Sequence, residues 1–268
     1  MTPDETREGR GLSAHRHRLF ARVGGAPVWL LAATVLAIVA ALIAWTARPA
    51  TPAASWDPLE PIVTPTATTA AEPEISDVLF VGDSYTAGAG ATEDKVEQLR
   101  WSARVSQELG WNEINVALGG TGYVMTSGFE GCGVDFCPRY RERILTADAD
   151  PDLVVISGGR NDGPEPEGFY QSVLSTFETA QERWPDAMIV VTLPLWDDDP
   201  APEWLAADAT VILTAARSAE VDVLDLGQPL EGVASFIAED GIHPSDAGHE
   251  AIAAAFIDAW NARAEAES

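Results

Sequence analysis

Lysine is almost missing from this chain. Lys95 is the only one among 268 residues, and 42 acidic side chains stand against 16 basic ones. A formal net charge of −26 repels phosphate backbones, so nucleic acid is not an expected partner, and the acidity reads first as a solubility device. Cysteine is nearly absent as well. Cys132 and Cys137 stand in GCGVDFC, and no second pair or neighbouring histidine completes the four-ligand set that zinc wants, so no metal is expected. Spaced five residues apart, the two can close a small disulfide loop in an oxidising compartment. Histidine is scarce too. His15, His17, His243 and His249 are the whole supply, so any chemistry that needs an imidazole has few places to be. No internal repeat is visible.

One long hydrophobic run is present. Val28–Ala47, VWLLAATVLAIVAALIAWTA, carries no charge and, at about 1.5 Å per residue, spans roughly the 30 Å of a hydrocarbon core. Trp29 and Trp45 lie near its ends, where interfacial indoles are favoured. Arg7, Arg10, Arg16, Arg18 and Arg22 precede it and Arg48 follows, which places the N-terminus inside and everything downstream outside. The run exceeds the about 7–15 residues of a secretory h-region and lacks a clear A-x-A exit, so an uncleaved anchor is expected, with a cleaved signal as the alternative. The predicted organisation is a polar cytoplasmic tail over 1–26, a membrane helix over 27–47 and a Pro/Ala/Thr-rich spacer over 48–75, then a folded domain over 76–268.

From Asp77 the pattern alternates between short apolar strands and amphipathic helices. Strands are predicted at Val78–Val81, Glu113–Ala117, Leu153–Ser157, Met188–Thr192 and Val221–Leu226, with helices near Glu93–Leu109, Glu165–Trp184, Ala201–Ser218 and Asp246–Ala262. Phe169, Val173, Phe177, Ala180 and Trp184 share one stripe, as do Ile252, Phe256 and Ala259; both stripes are read as core. Such alternation predicts a parallel sheet covered on both faces.

The chain is organised around SDVLFVGDSYTAG, Ser76–Gly88. A buried strand runs into Gly82-Asp83-Ser84, leaving Ser84 at the carboxyl edge of the sheet, where open α/β sheets hold ligands. A serine hydroxyl becomes a useful nucleophile when an imidazole takes its proton and a carboxylate orients that imidazole. His15 and His17 fall on the far side of the membrane run. His243 remains, in Asp240-Gly241-Ile242-His243-Pro244-Ser245, with Asp240 three residues earlier to hold its ring and Ser245 to cap the next helix. His249, within that helix, is expected on its surface or partly packed. The negative charge that develops on an attacked carbonyl needs fixed donors, and Gly120 and Asn161, each just beyond a predicted strand, are suitable.

These four stretches, Gly82-Asp83-Ser84, Gly120, Gly159-x-Asn161-Asp162 and Asp240-x-x-His243, resemble in order the blocks of the SGNH (GDSL) hydrolase family over about residues 76–262. The resemblance implies a three-layer α/β/α fold with a mostly parallel five-stranded, flavodoxin-like sheet, and serine esterase, lipase or acyl-transfer chemistry without cofactor or metal. It implies Ser84 as nucleophile, His243 as base, Asp240 as its orienter, and the N–H of Ser84, the N–H of Gly120 and the Asn161 side chain as oxyanion donors. The first block is GDSY, not GDSL, and that fourth position is read as lying outside the proton relay. An α/β-hydrolase is rejected, because Gly82-Asp83-Ser84-Tyr85-Thr86 lacks the second glycine of its nucleophile turn.

Arg139, Arg141 and Arg143 are read as a solvated helix start, with contact to an anionic substrate as the alternative. Trp196 is assigned to neither pocket nor core. The expected partner is an ester-bearing substrate, a short O-acyl group on a glycan first, with lipid or small ester as alternatives. An O-acyltransferase and a non-catalytic envelope-binding domain are the competing readings. Membrane contact is expected through the N-terminal helix alone.

Overall fold

The computed structural model describes Arg22–Val23, Ala26–Pro27 and residues 75–267 except Glu165. The expected membrane run and spacer lie outside the described residues, save Pro27 and Ile75. Pro27 is a correction to that reading: it closes a two-residue strand, Ala26–Pro27, paired antiparallel with Arg22–Val23, and is not the first residue of a helix. Among the described residues no helix is long and apolar enough to cross a membrane. The chain divides into two compact units, Met1–Thr69 and Ala70–Ser268, and the description below concerns the second.

Five parallel strands form its sheet: β1 (Asp77–Gly82), β2 (Asn112–Asn115), β3 (Leu153–Ser157), β4 (Met188–Thr192) and β5 (Asp222–Leu224). Their order is β2-β1-β3-β4-β5, the flavodoxin-like arrangement, so the topological switch lies between β1 and β3. Register aligns Val78 with Leu153, and Leu153 with Met188, at one end; Gly82, Ser157 and Thr192 align at the other.

Strand alternation builds the layers. Leu79, Val81, Val154, Ile156 and Val191 face one way, onto helices α5 (Tyr140–Thr146), α6 (Phe169–Arg183) and α7 (Glu203–Ala219). Val78, Phe80, Val155 and Val190 face the other, onto α3 (Trp101–Leu109) and α8 (Asp246–Glu267). A strand buried on both sides has no polar face, which is why β1, β3 and β4 each read as a continuous apolar run. The Phe169–Trp184 stripe and Ile252 with Phe256 are buried in these two cores as expected.

Several boundaries differ from the sequence reading. Glu93–Leu109 is not one helix: a 3₁₀ turn and the short α2 (Val96–Leu99) end at Arg100, whose ψ of 147° leaves the helical region before α3 begins. At that break the Arg100 guanidinium grips Glu113 of β2 with two hydrogen bonds of 3.0 and 2.8 Å. β2 stops at Asn115, not Ala117, because the Asn115 side chain accepts the Ala117 N–H at 2.9 Å and turns the chain. β5 starts at Asp222 and ends at Leu224, inside the expected Val221–Leu226. Helix α5 begins where Arg139, Arg141 and Arg143 are read as a helix start, although the sequence reading gives it no range.

Candidate active site

β1 ends at Gly82 because nothing larger fits there: a Cβ would stand 2.3 Å from Thr86 Oγ1 and 2.8 Å from the Ser157 carbonyl. The chain then enters α1 (Ser84–Ala87), a single turn capped by Asp83, whose side chain accepts the Tyr85 N–H at 3.0 Å. Ser84 thus opens a rigid turn at the carboxyl edge of the central strand. Asp83 itself is buried. Desolvation pushes its carboxyl up to about 6, against the opposing pull of the Tyr85 N–H and of Arg160 and Arg143.

The second block approaches from β2. A Cβ on Gly119 would lie 3.6 Å from that of Ser84, and Gly120 has φ +69°, a conformation that glycine tolerates best. Arg143 pins this region from beneath. Its guanidinium donates to the carbonyls of Gly82 (2.9 Å) and Val116 (2.6 Å) and to Thr121 Oγ1 (2.8 Å). It is 5% exposed, which corrects the solvated reading of this residue. Arg139 and Arg141 lie nearer the surface, on Glu142 and Thr179.

Beyond β3, the 3₁₀ turn Arg160–Asp162 carries the third block. Asn161 Nδ2 donates to the Thr121 carbonyl at 3.0 Å, which leaves its second amide hydrogen for another acceptor. Asp162 receives the backbone N–H groups of Tyr123, Val124 and Met125 at 2.7–3.0 Å. Burial nonetheless raises its carboxyl above the usual range, because desolvation outweighs those bonds.

The last block precedes α8. His243 Nδ1 is 2.6 Å from Asp240 Oδ2, and Asp240 Oδ1 accepts the N–H groups of Ile242 and His243, each at 2.9 Å. Partial burial would raise the Asp240 carboxyl, but these bonds prevail and hold it at about 2. With Nδ1 occupied, Nε2 is the ring nitrogen free to take a proton. Ser245 caps α8 by accepting the Gly248 N–H at 3.3 Å.

Ser84, Gly120, Asn161 and His243 line one cleft of about 390 Å³, together with Glu130, Arg160 and Trp196. A second cleft of about 420 Å³ meets it at Ser84 and His243, walled by Ala87, Ala89, Val96, Ala117 and Leu118. Among the described residues no hydrogen bond joins Ser84 Oγ to the His243 ring; such contacts are commonly loose before substrate binds. A separate cleft of about 380 Å³, by Trp184, Met188 and Asp222, opens at the amino ends of β4 and β5 and holds none of these residues. Among the described residues no cluster of three or more His, Cys, Asp or Glu side chains could hold a metal ion.

Four blocks separated by up to 159 positions therefore surround one cleft at the switch point of the sheet. A family model described as GDSL-like lipase/acylhydrolase matches residues 80–251. The chain belongs to the GDSL-like lipase/acylhydrolase family. It is 33% identical over 193 residues to the GDSL lipase Rv0518 of Mycobacterium tuberculosis, a match covering 67% of this chain and 79% of that one. Solved structures share the GDSL fold. TesA superposes with a TM-score of 0.55 at 22% identity, over 69% of this chain and 97% of its own. A family two carbohydrate esterase from Clostridium thermocellum, in complex with cellohexaose, gives 0.52 at 19% identity, over 67% of this chain and 61% of its own. At such identities the likeness is one of fold.

Around the GDSL blocks the structure places further residues, some where the sequence reading put them and some not. His249 is fully buried, not on the helix surface, with Nε2 3.1 Å from the Ala89 carbonyl. Cys132, the last residue of α4 (Phe129–Cys132), is joined to Cys137 in a disulfide as expected, and Glu130 and Gly131 of that helix wall the cleft. Tyr85 is 3% exposed and wired to both Arg160 and the turn carrying His243. Arg160 is the unspecified letter of the third block. Only its charge, unusual beside a buried turn, could have drawn notice.

Proposed function

We propose that this GDSL-family chain hydrolyses carboxylic esters through a covalent acyl-enzyme on Ser84. In this reading Ser84 Oγ bonds to the ester carbonyl carbon while His243 Nε2 takes its proton. Asp240 stabilises the imidazolium, and the N–H groups of Ser84 and Gly120 with the free Asn161 amide hydrogen receive the oxyanion. Collapse breaks the bond to the alcohol oxygen, which leaves with the proton from His243. Water then repeats the sequence and releases the acid. The observation that carries this reading is the convergence of Ser84, Gly120, Asn161 and His243 on one cleft, with Asp240 on the far nitrogen of the ring.

Side chains of Asp240 and His243 are 47% and 26% exposed, so water reaches the base, which favours hydrolysis over transfer to a sugar hydroxyl. The wall of small residues from Ala87 to Leu118 suits a short acyl group, and a glycan-borne O-acyl ester is the proposed substrate. The disulfide needs an oxidising compartment, which supports export. With the apolar run before the spacer, the proposed setting is a single-pass membrane protein whose hydrolase domain faces outward.

The test is turnover of chromogenic esters from acetate to palmitate, with acetylated glycans alongside. Ser84→Ala and His243→Ala are expected to lower kcat by about 10⁶, and Asn161→Ala by roughly 10²–10³. Undiminished turnover by Ser84→Ala would end this reading.

A further inference from the structure

The residue after the nucleophile is tyrosine where the family's signature has leucine, and its hydroxyl occupies a particular place. Tyr85 Oη donates to the Ile242 carbonyl at 2.7 Å, one residue before His243, and receives a hydrogen bond from Arg160 Nη1. Arg160 Nη2 in turn lies 3.1 Å from Asp197 Oδ2, in the loop after β4. The guanidinium is stacked against two rings, 4.8 Å from the Tyr85 centroid and 4.2 Å from that of Trp196. Gln228 fixes Trp196 from behind, accepting its backbone N–H at 2.7 Å. Tyr85 also meets the imidazole, the two ring centroids being 6.1 Å apart.

The turn carrying the base needs such a hold. Its other bonds are largely its own: Ala238 N–H to the His243 carbonyl (2.8 Å), Gly241 N–H to that of Ala238 (3.0 Å), and a bridge between Ile237 and Pro244. Those bonds shape the turn, and beyond it Thr92 and Ala89 hold Asp246 and His249 of α8. The Tyr85 hydroxyl ties the turn itself, one residue before the imidazole, to Ser84, because Tyr85 and Ser84 belong to the same rigid turn of helix. Arg160 adds the third block, being the immediate neighbour of Asn161. Burial pushes the Tyr85 phenol upward, so the hydroxyl keeps the proton that it donates.

We propose that Tyr85, held by Arg160 and Asp197, is a positioning residue that fixes the Asp240–His243 turn against the nucleophile through the Ile242 carbonyl. This rests on the serine-hydrolase reading above. Leucine, the last letter of the family's signature, offers no hydroxyl for such a bond.

The experiment uses the full-length chain and a chromogenic acetate ester, comparing wild type with Tyr85→Phe, Asp197→Asn, Asp240→Asn and Ser84→Ala. Tyr85→Phe removes one oxygen and keeps the ring. It is expected to lower kcat about three- to ten-fold, the range for one lost hydrogen bond, with KM within two-fold. Asp197→Asn, which leaves Tyr85 and the base untouched, is expected to give a smaller fall of the same kind. Combined with Asp240→Asn, the Tyr85→Phe effect should shrink, because both act on the placement of one imidazole. A kcat within two-fold of wild type for Tyr85→Phe, a change confined to KM, or full multiplicativity with Asp240→Asn would each overturn the proposal. If Ser84→Ala is inactive while Tyr85→Phe matches wild type, the positioning role alone fails. If Ser84→Ala keeps its turnover, the serine reading fails and takes the positioning role with it.

Discussion

Asp83 and His249 flank the turn that carries Ser84 and respond to burial in opposite senses. The carboxyl of Asp83 is raised to about 6 from 3.8, chiefly by desolvation. Between those values the folded chain holds more protons than the unfolded one, so this group's contribution falls as pH rises. His249 is lowered to about 4 from 6.5, again mainly by burial and against the favourable bond to the Ala89 carbonyl. Here the unfolded chain holds more protons. Its contribution is complete above pH 6.5 and is lost as pH falls towards 4. The two slopes oppose one another, so the wild-type profile alone would hide both. The difference between wild type and His249→Gln isolates one of them. Measured by urea denaturation, that gap is expected to narrow by about 3 kcal/mol from pH 7 to pH 4. A gap independent of pH would mean that His249 is not kept neutral in the fold.

Elements meet at the cleft because short polar ties link their ends. Arg143, projecting from the seven-residue α5, joins the end of β1 to the segments after β2 through three acceptors. Burial lowers its guanidinium to about 10, so it stays charged at neutral pH. Asp162 does the equivalent work between the third block and Tyr123–Met125. Arg143→Ala leaves the Val116 carbonyl and the Thr121 hydroxyl without this donor and the Gly82 carbonyl with the Leu118 N–H alone, and a loss of about 3 kcal/mol is expected on denaturation. An unchanged midpoint would show that water replaces the guanidinium at no cost. The break at Arg100 is a tie of the same sort, trading helix continuity for a two-fold grip on Glu113.

For the molecule as a whole, the proposed setting makes a prediction that turnover cannot answer. Mass spectrometry of the mature protein from membranes is expected to find a start before Val28; a start beyond Ala47 would mean a cleaved signal and a released domain. Export also predicts that Cys132 and Cys137 resist thiol labelling without reductant, as their disulfide requires. Free thiols on the mature protein would argue for a reducing compartment.

Legibility followed the range of the interactions. The sequence alone determined the four blocks and their order, the strands that are apolar on both faces, and the stripes of α6 and α8, because each is a local pattern imposed by one backbone geometry. It carried the Asp240–His243 pairing for the same reason, the two being three residues apart. What it did not determine is which polar side chains are buried between elements. Arg143 reads like Arg139 and Arg141 along the chain, His249 like any helical histidine, and Tyr85 like a neutral departure from leucine. Their roles arise only when β1, β2, β3 and the loop before α8 are brought to one edge, where a buried charge or hydroxyl must find partners 22 to 160 positions away. Tertiary structure made those choices, since desolvation penalises a polar group by where it ends up in space and not by its neighbours in sequence.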